Sequence, residues 1–235
     1  MNLILLFAED FVDEETVRLS GRRLEHVLRV HRAAVGQTLV VGLAGDRIGT
    51  GEVARLDPEA LVMRVQLHRD PPPPLDVTLL LALPRPKVLN RVLASVTSMG
   101  VKRIVLMNAW RVEKSYWKSP RLSDENLLLQ RILGLEQARD TILPSIEIQR
   151  FFRPFVESLE VSGLSLVAHP GGREPYPREL TGPLTLAVGP EGGFIEEEIA
   201  SFERKGFRIV TMGERILRVE TAVAALLAPF RFAQS

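Results

Sequence analysis

The rhythm of apolar and polar positions changes character near residue 70. Before it, apolar runs are short and closely spaced: Leu3–Phe7, Thr38–Leu43, Ile48–Ala54 and Ala60–Leu67, with Gly45-Asp46 as one turn. Short strands separated by glycine turns predict a small β-barrel over residues 1–70. Within it, residues 18–32 follow a helical period that buries Leu24, Val27 and Leu28, turns the arginines outward and ends near Val30. Pro71-Pro72-Pro73-Pro74 then interrupts the chain. Prolines cannot donate to a strand ladder and favour a stiff, extended spacer, so 71–74 is the expected linker. From residue 75 to 235 the pattern alternates. Apolar strands at 76–83, 102–107, 146–149, 164–168, 184–188 and 207–211 are interleaved with helical segments. Those segments are 87–99, a helix capped by Ser123 with Leu128, Ile132 and Leu135 inward, one from Ile195 to Gly206, and one from Thr221 to about Phe230. Strand–helix alternation predicts a parallel sheet covered on both faces.

The last two strand-to-helix junctions carry the candidate chemistry. They read Gly189-Pro190-Glu191-Gly192-Gly193-Phe194 and Met212-Gly213-Glu214-Arg215-Ile216-Leu217-Arg218-Val219-Glu220-Thr221-Ala222. In parallel sheets ligands gather at the carboxyl ends of strands. Glycine lets backbone groups approach a ligand closely. A tight turn alone accounts for the glycines. The acid Glu191 among apolar residues, and a second polar loop at the next strand end, favour a ligand site. Glu196, Glu197 and Glu198 sit in a first helical turn, where the dipole favours negative charge. The final helix is apolar nearly all round, which requires burial by the core or by a second subunit.

Composition narrows the classes. The chain has 235 residues and a net charge of +1, so any nucleic-acid contact must be local. One basic stretch holds Arg18, Arg22, Arg23, His26, Arg29, His31 and Arg32 against the single acid Glu25. A solvated helix face and an RNA-binding face both fit it. The loop from Asn108 to Lys118 mixes Arg111 and Lys114 with Trp110, Tyr116 and Trp117. Cations neutralise phosphates and aromatic rings stack on unpaired bases; a surface loop anchored by its tryptophans fits equally. No cysteine is present, which excludes disulfides and suits a reducing cytoplasm. The four histidines lack ligand spacing, so no metal is expected, and no apolar run approaches a membrane span. Neither a dinucleotide fingerprint nor a P-loop is present.

VGPEGGFIEEEI and MGERILRVETAVAALLA resemble the two signature loops of the RsmE-type ribosomal RNA methyltransferases of the SPOUT superfamily. Leu166-Val167-Ala168-His169-Pro170 resembles that family's first knot strand, and Leu24–Val30 its N-terminal pattern, with His26 and Arg29 as the matching positions. The resemblance implies a C-terminal domain threaded as a trefoil knot and a PUA-like N-terminal barrel that helps hold RNA. It implies S-adenosylmethionine bound by Ala168, His169, Gly189, Pro190, Glu191, Gly192, Gly193, Met212, Gly213, Ile216, Leu217 and Arg218. The implied reaction is methylation of N3 of a uridine in 16S ribosomal RNA, free or in the small ribosomal subunit, by a cytoplasmic homodimer. Arg218, Glu220 and Glu191 are then the candidate catalytic groups. Arg22, Arg23, His26, Arg29, Arg32, Arg111, Lys114 and Arg139 are the candidate RNA contacts. Two places depart from the family. Glu136-Gln137-Ala138-Arg139-Asp140 carries its arginine one position early, and Thr97-Ser98-Met99-Gly100-Val101 lacks the family's glutamate. Two further functions therefore stay open: a SPOUT enzyme for another RNA base, and a ribosome-assembly protein that binds RNA without turnover.

Overall fold

The computed structural model describes residues 2–160, 162–180 and 182–232. It divides into two units, residues 1–73 with 132–143, and residues 74–131 with 144–235.

The first unit contains β1 (Ile4–Leu6), β2 (Thr16–Leu19), α1 (Gly21–His26), β3 (Thr38–Leu43), β4 (Ile48–Leu56) and β5 (Leu61–Arg69). They form a curled sheet in the order β1-β3-β4-β5-β2. β1 runs parallel to β3 and the other pairs are antiparallel. Alternate residues such as Val17, Leu19, Val41, Leu61 and Met63 fill its core. At Gly49 the neighbouring strand comes so close that a Cβ would lie 1.8 Å from the Gln66 carbonyl oxygen, and the register shifts there. The predicted helix is present only as far as His26. It then widens into a π turn over Val27–His31, closed by Arg32 in a left-handed conformation. Wider winding breaks the 3.6-residue period, so Leu24 and Val27 are buried as expected while Leu28 is 37% exposed. Nor do all the arginines point outward. Arg23 turns in and donates to both Asp10 carboxylate oxygens at 2.5 and 2.6 Å and to the Leu5 carbonyl at 2.8 Å. Residues 132–143 complete this unit. Leu135 packs with Leu3, Leu5 and Ile48, and the Glu136 carbonyl accepts from the backbone N–H groups of Asn2 and Leu3 at 2.9 and 3.0 Å.

The second unit begins with β6 (Leu75–Ala82), α2 (Pro86–Ser98), β7 (Val101–Met107), α3 (Asp124–Ala138, its last turns belonging to the first unit) and β8 (Ser145–Gln149). It continues with α4 (Phe152–Ser158), β9 (Leu164–Ala168), β10 (Glu174–Pro175), β11 (Leu184–Val188), α5 (Glu196–Arg204), β12 (Arg208–Thr211) and α6 (Val219–Phe232). The sheet order is β10-β12-β9-β11-β6-β7-β8, and every pair is parallel. The chain is thus a mixed α/β protein with the parallel sheet expected from alternation. Ser123 caps α3 as expected, its hydroxyl accepting from the Asn126 N–H at 3.3 Å. The buried face of α3 is set by Leu127 and Leu135, however, and Leu128 faces outward. Three phenylalanines, Phe152, Phe194 and Phe207, pack around Phe202, with ring centroids 5.0 to 5.4 Å from it. The strand-to-strand segment after β9 is fastened to the last helix: the Tyr176 hydroxyl donates to the Leu226 carbonyl at 2.6 Å. Burial of that phenol pushes its pKa well above the usual tyrosine range. Among the described residues no helix is long and apolar enough to cross a membrane.

Candidate functional site

Because the strands are parallel, their carboxyl ends emerge at one edge. The order β12-β9-β11 makes the loops after those three strands neighbours. They line an open cleft of about 110 Å³. Ala168 and His169 enter it from the loop after β9, Gly189, Pro190, Glu191 and Gly193 from the loop after β11, and Met212, Gly213, Ile216 and Leu217 from the loop after β12. Val188, Val210, Val219, Ala222 and Leu226 supply apolar walls.

The local geometry follows from the sequence. Gly193 N–H donates to the Pro190 carbonyl at 2.8 Å, closing a four-residue turn, and Gly193 has φ of 72°, where a side chain is strained. The Glu191 carboxylate accepts from the Arg85 backbone N–H at 3.0 Å. The Gly192 carbonyl accepts from the Arg111 guanidinium. His169 N–H donates to the Val210 carbonyl at 2.9 Å, and its Nδ1 accepts from the Gly171 N–H at 3.0 Å. An accepting Nδ1 places the proton of the neutral ring on Nε2. Ile216 is 80% exposed at the mouth.

Residues 71–231 match the RNA methyltransferase domain family. The ribosomal RNA small subunit methyltransferase E of Treponema pallidum is 31% identical over 97% of this chain and 90% of its own length. The chain belongs to this family. The Synechocystis relative of the same name is 28% identical over 95% of the chain and 75% of itself. In three dimensions the fold is shared with a putative methyltransferase of Legionella pneumophila solved with bound S-adenosylmethionine, at a TM-score of 0.78, 23% identity and coverage of 99% and 97%. It is also shared with the small subunit methyltransferase E of Neisseria gonorrhoeae bound to S-adenosylmethionine, at 0.77, 20%, 98% and 97%.

In this methyltransferase E family member, three of the residues singled out in the signature loops, Gly192, Arg218 and Glu220, do not line the cleft. Gly192 faces Arg111, and Arg218 is exposed, its carbonyl accepting from the Thr221 and Ala222 N–H groups at 3.0 and 2.8 Å. Glu220 pairs with Arg91 at 3.5 Å rather than with Arg218. The basic residues of the first unit divide. Arg22 is bound bidentately by Glu136 at 2.7 and 3.0 Å, and Arg23 by Asp10. Arg29 and Arg32 are exposed. His26 and His31 meet edge to face at 5.2 Å, each with a buried, unpartnered Nε2, and burial lowers the His26 pKa. Arg139, with φ of 55°, lines a cavity of the first unit with His31. In the second unit, Arg111 and Lys114 lie on the loop after β7.

Sequence reasoning missed Glu198. Its carboxylate is buried, accepting from the Trp110 N–H at 2.8 Å and from the Ile195 N–H at 3.0 Å, and burial raises its pKa. Three consecutive glutamates look alike in a sequence. The available signal was position: the third stands where a first-turn acid reaches back to the helix start.

Proposed function

We propose that this methyltransferase transfers the methyl group of S-adenosylmethionine to N3 of a uridine in 16S ribosomal RNA. The observation that carries this reading is the single cleft built jointly by both signature loops. Its apolar walls and glycine-rich backbone suit a nucleoside, whose base packs on apolar side chains while its polar edges take backbone hydrogen bonds. Ala168, His169, Gly189, Pro190, Glu191, Gly193, Met212, Gly213, Ile216 and Leu217 would hold it, with Gly192 and Arg218 at the rim. When bound, S-adenosylmethionine supplies an electrophilic methyl carbon on a sulfonium. The protein then has to position the nucleophile and make it reactive.

Neutral uridine carries a proton on N3 and is a poor nucleophile. Glu191, oriented by the Arg85 N–H, accepts that proton directly or through water. The Arg218 guanidinium stabilises the negative charge that loss of the N3 proton leaves on the base carbonyl oxygens, until the new N3–carbon bond discharges it. Glu220 organises the loop through Arg91. Arg22, Arg23, His26, Arg29, Arg32, Arg111, Lys114 and Arg139 are proposed RNA contacts. Arg29 and Arg32 are the stronger members of the first group, because Arg22 and Arg23 already serve carboxylates.

The same reading includes a trefoil knot, a PUA-like role for the curled sheet, a homodimer and a cytoplasmic location. The position of β12 between β9 and β10, with Tyr176 fastened to α6, supports threading. The exposed Met212, Ile216 and Leu217 support a second subunit at that end.

Small ribosomal subunits from cells lacking the gene, incubated with purified protein and labelled S-adenosylmethionine, test the reading. N3-methyluridine in 16S RNA is the expected product. Label on another base would move the target, and calorimetry showing no S-adenosylmethionine binding by folded protein would leave a binding role only.

A further inference from the structure

The parallel sheet brings two more loops to the edge that carries the cleft. Strand order places the ends of β7 and β8 beyond β6, on the far side of β11 from β12. With strands spaced about 4.8 Å apart, the β7 loop lies roughly 10 Å along the edge from the β11 loop. Each of these two loops shows a large aromatic ring to solvent. Trp110 is 78% exposed and Phe151 is 74% exposed.

Exposure of a tryptophan on a loose loop would mean little, but this loop is pinned. Trp110 N–H is held by the buried Glu198 carboxylate, and the Arg111 guanidinium by the Gly192 carbonyl in the cleft loop. Asn108 N–H donates to the Gln149 carbonyl at 2.8 Å, which ties the β7 loop to the end of β8. Ala109 and Val112, on either side, are buried. The second tryptophan is spoken for: Trp117 Nε1 donates to Asn108 at 2.9 Å and the Arg150 guanidinium lies 5.1 Å from its ring centre. The Trp110 ring has no such partner among the described residues. The same loop carries Lys114 and Lys118, and Arg150 directly precedes Phe151; none of the three forms an ion pair with a carboxylate among the described residues. An exposed ring on a pinned backbone, in loops that also carry cations, matches an unpaired base on a phosphate backbone.

Building on the proposed function, we infer that Trp110 is a stacking platform for an unpaired base of the substrate RNA, on a single-stranded track that leaves the methyl-donor cleft along the carboxyl edge towards Phe151. The loop holds the backbone at Trp110 in place before RNA arrives, so ordering entropy is lost mainly at the ring itself on binding.

Wild-type protein, W110A, W110F and F151A are to be titrated with a single-stranded oligouridine of about ten nucleotides at one salt concentration. Each is also to be assayed for methyl transfer to small ribosomal subunits, for S-adenosylmethionine binding and for sedimentation. W110A should weaken RNA binding about tenfold, raising KM for the RNA with kcat held, while W110F, which keeps a ring, stays within about threefold. F151A should weaken binding less than W110A. Tryptophan emission quenched by RNA in the wild type should lose that response in W110F. Unchanged RNA affinity in W110A overturns the platform. So does a shift of W110A towards monomer, which would assign the ring to a second copy of the chain. A wild-type protein that binds RNA with Trp110 quenching but transfers no methyl group defeats the functional reading and leaves the platform standing.

Discussion

Arg218 and Gly193 differ in how each would serve the proposed reaction, one through its side chain and the other through its backbone. Arg218 is exposed and its side chain has no ion-pair partner among the described residues, so its removal should leave the fold intact. If it stabilises charge on the uracil oxygens, R218A should lower kcat about a hundredfold with the dissociation constant for S-adenosylmethionine unchanged, as separate turnover and calorimetric measurements will show. Weaker donor binding with normal turnover would remove that role. Gly193 acts through its backbone. G193A meets no steric block, but φ of 72° costs a side chain about 1 kcal/mol, so donor affinity should fall several-fold as the turn relaxes. The two loops that border the cleft were legible because each motif is contiguous and follows an apolar strand. The partners of Arg22 and Arg23 were not. Glu136 is 114 positions from Arg22, and nothing in the local pattern of residues 18–32 announces it.

At the level of elements, Glu198 joins the start of α5 to the loop after β7. Its folded pKa is raised above the ordinary value of 4.5 chiefly by burial, so the folded chain holds the proton more tightly than the unfolded chain. Its contribution to stability is therefore largest below 4.5 and falls as pH rises through the raised value. Melting curves should show this decline in the wild type and lack it in E198Q. At the other end of the unit, Y176F removes the hydroxyl that holds the Leu226 carbonyl, and should cost about 1 kcal/mol in chemical denaturation. The strands at 164–168 and 184–188 are as the apolar runs predict, since strands buried on both faces read as unbroken apolar segments. β2, α4 and β10 were not legible. They span only four, seven and two residues, too few for a period to show, and are fixed by their neighbours in space.

Across the whole molecule, the arginines that serve carboxylates are not the ones best placed for the proposed RNA contacts. R22A strands the buried Glu136 carboxylate and should destabilise the protein by about 2 kcal/mol. R29A should leave the melting temperature unchanged and reduce RNA affinity, with a shallower salt dependence. The chain passes from one unit to the next between Pro73 and Pro74, within the proline run. The return of residues 132–143 was not legible, because α3 reads as one uninterrupted helix and its membership is decided by what Leu135 and Glu136 touch. That discontinuity governs how the protein can be dissected. A fragment stopping at the prolines would expose Leu3, Leu5 and Ile48 and leave Arg22 without its carboxylate, so it should be recovered as aggregate. A chimaera that borrows this first unit has to import two separate stretches of gene.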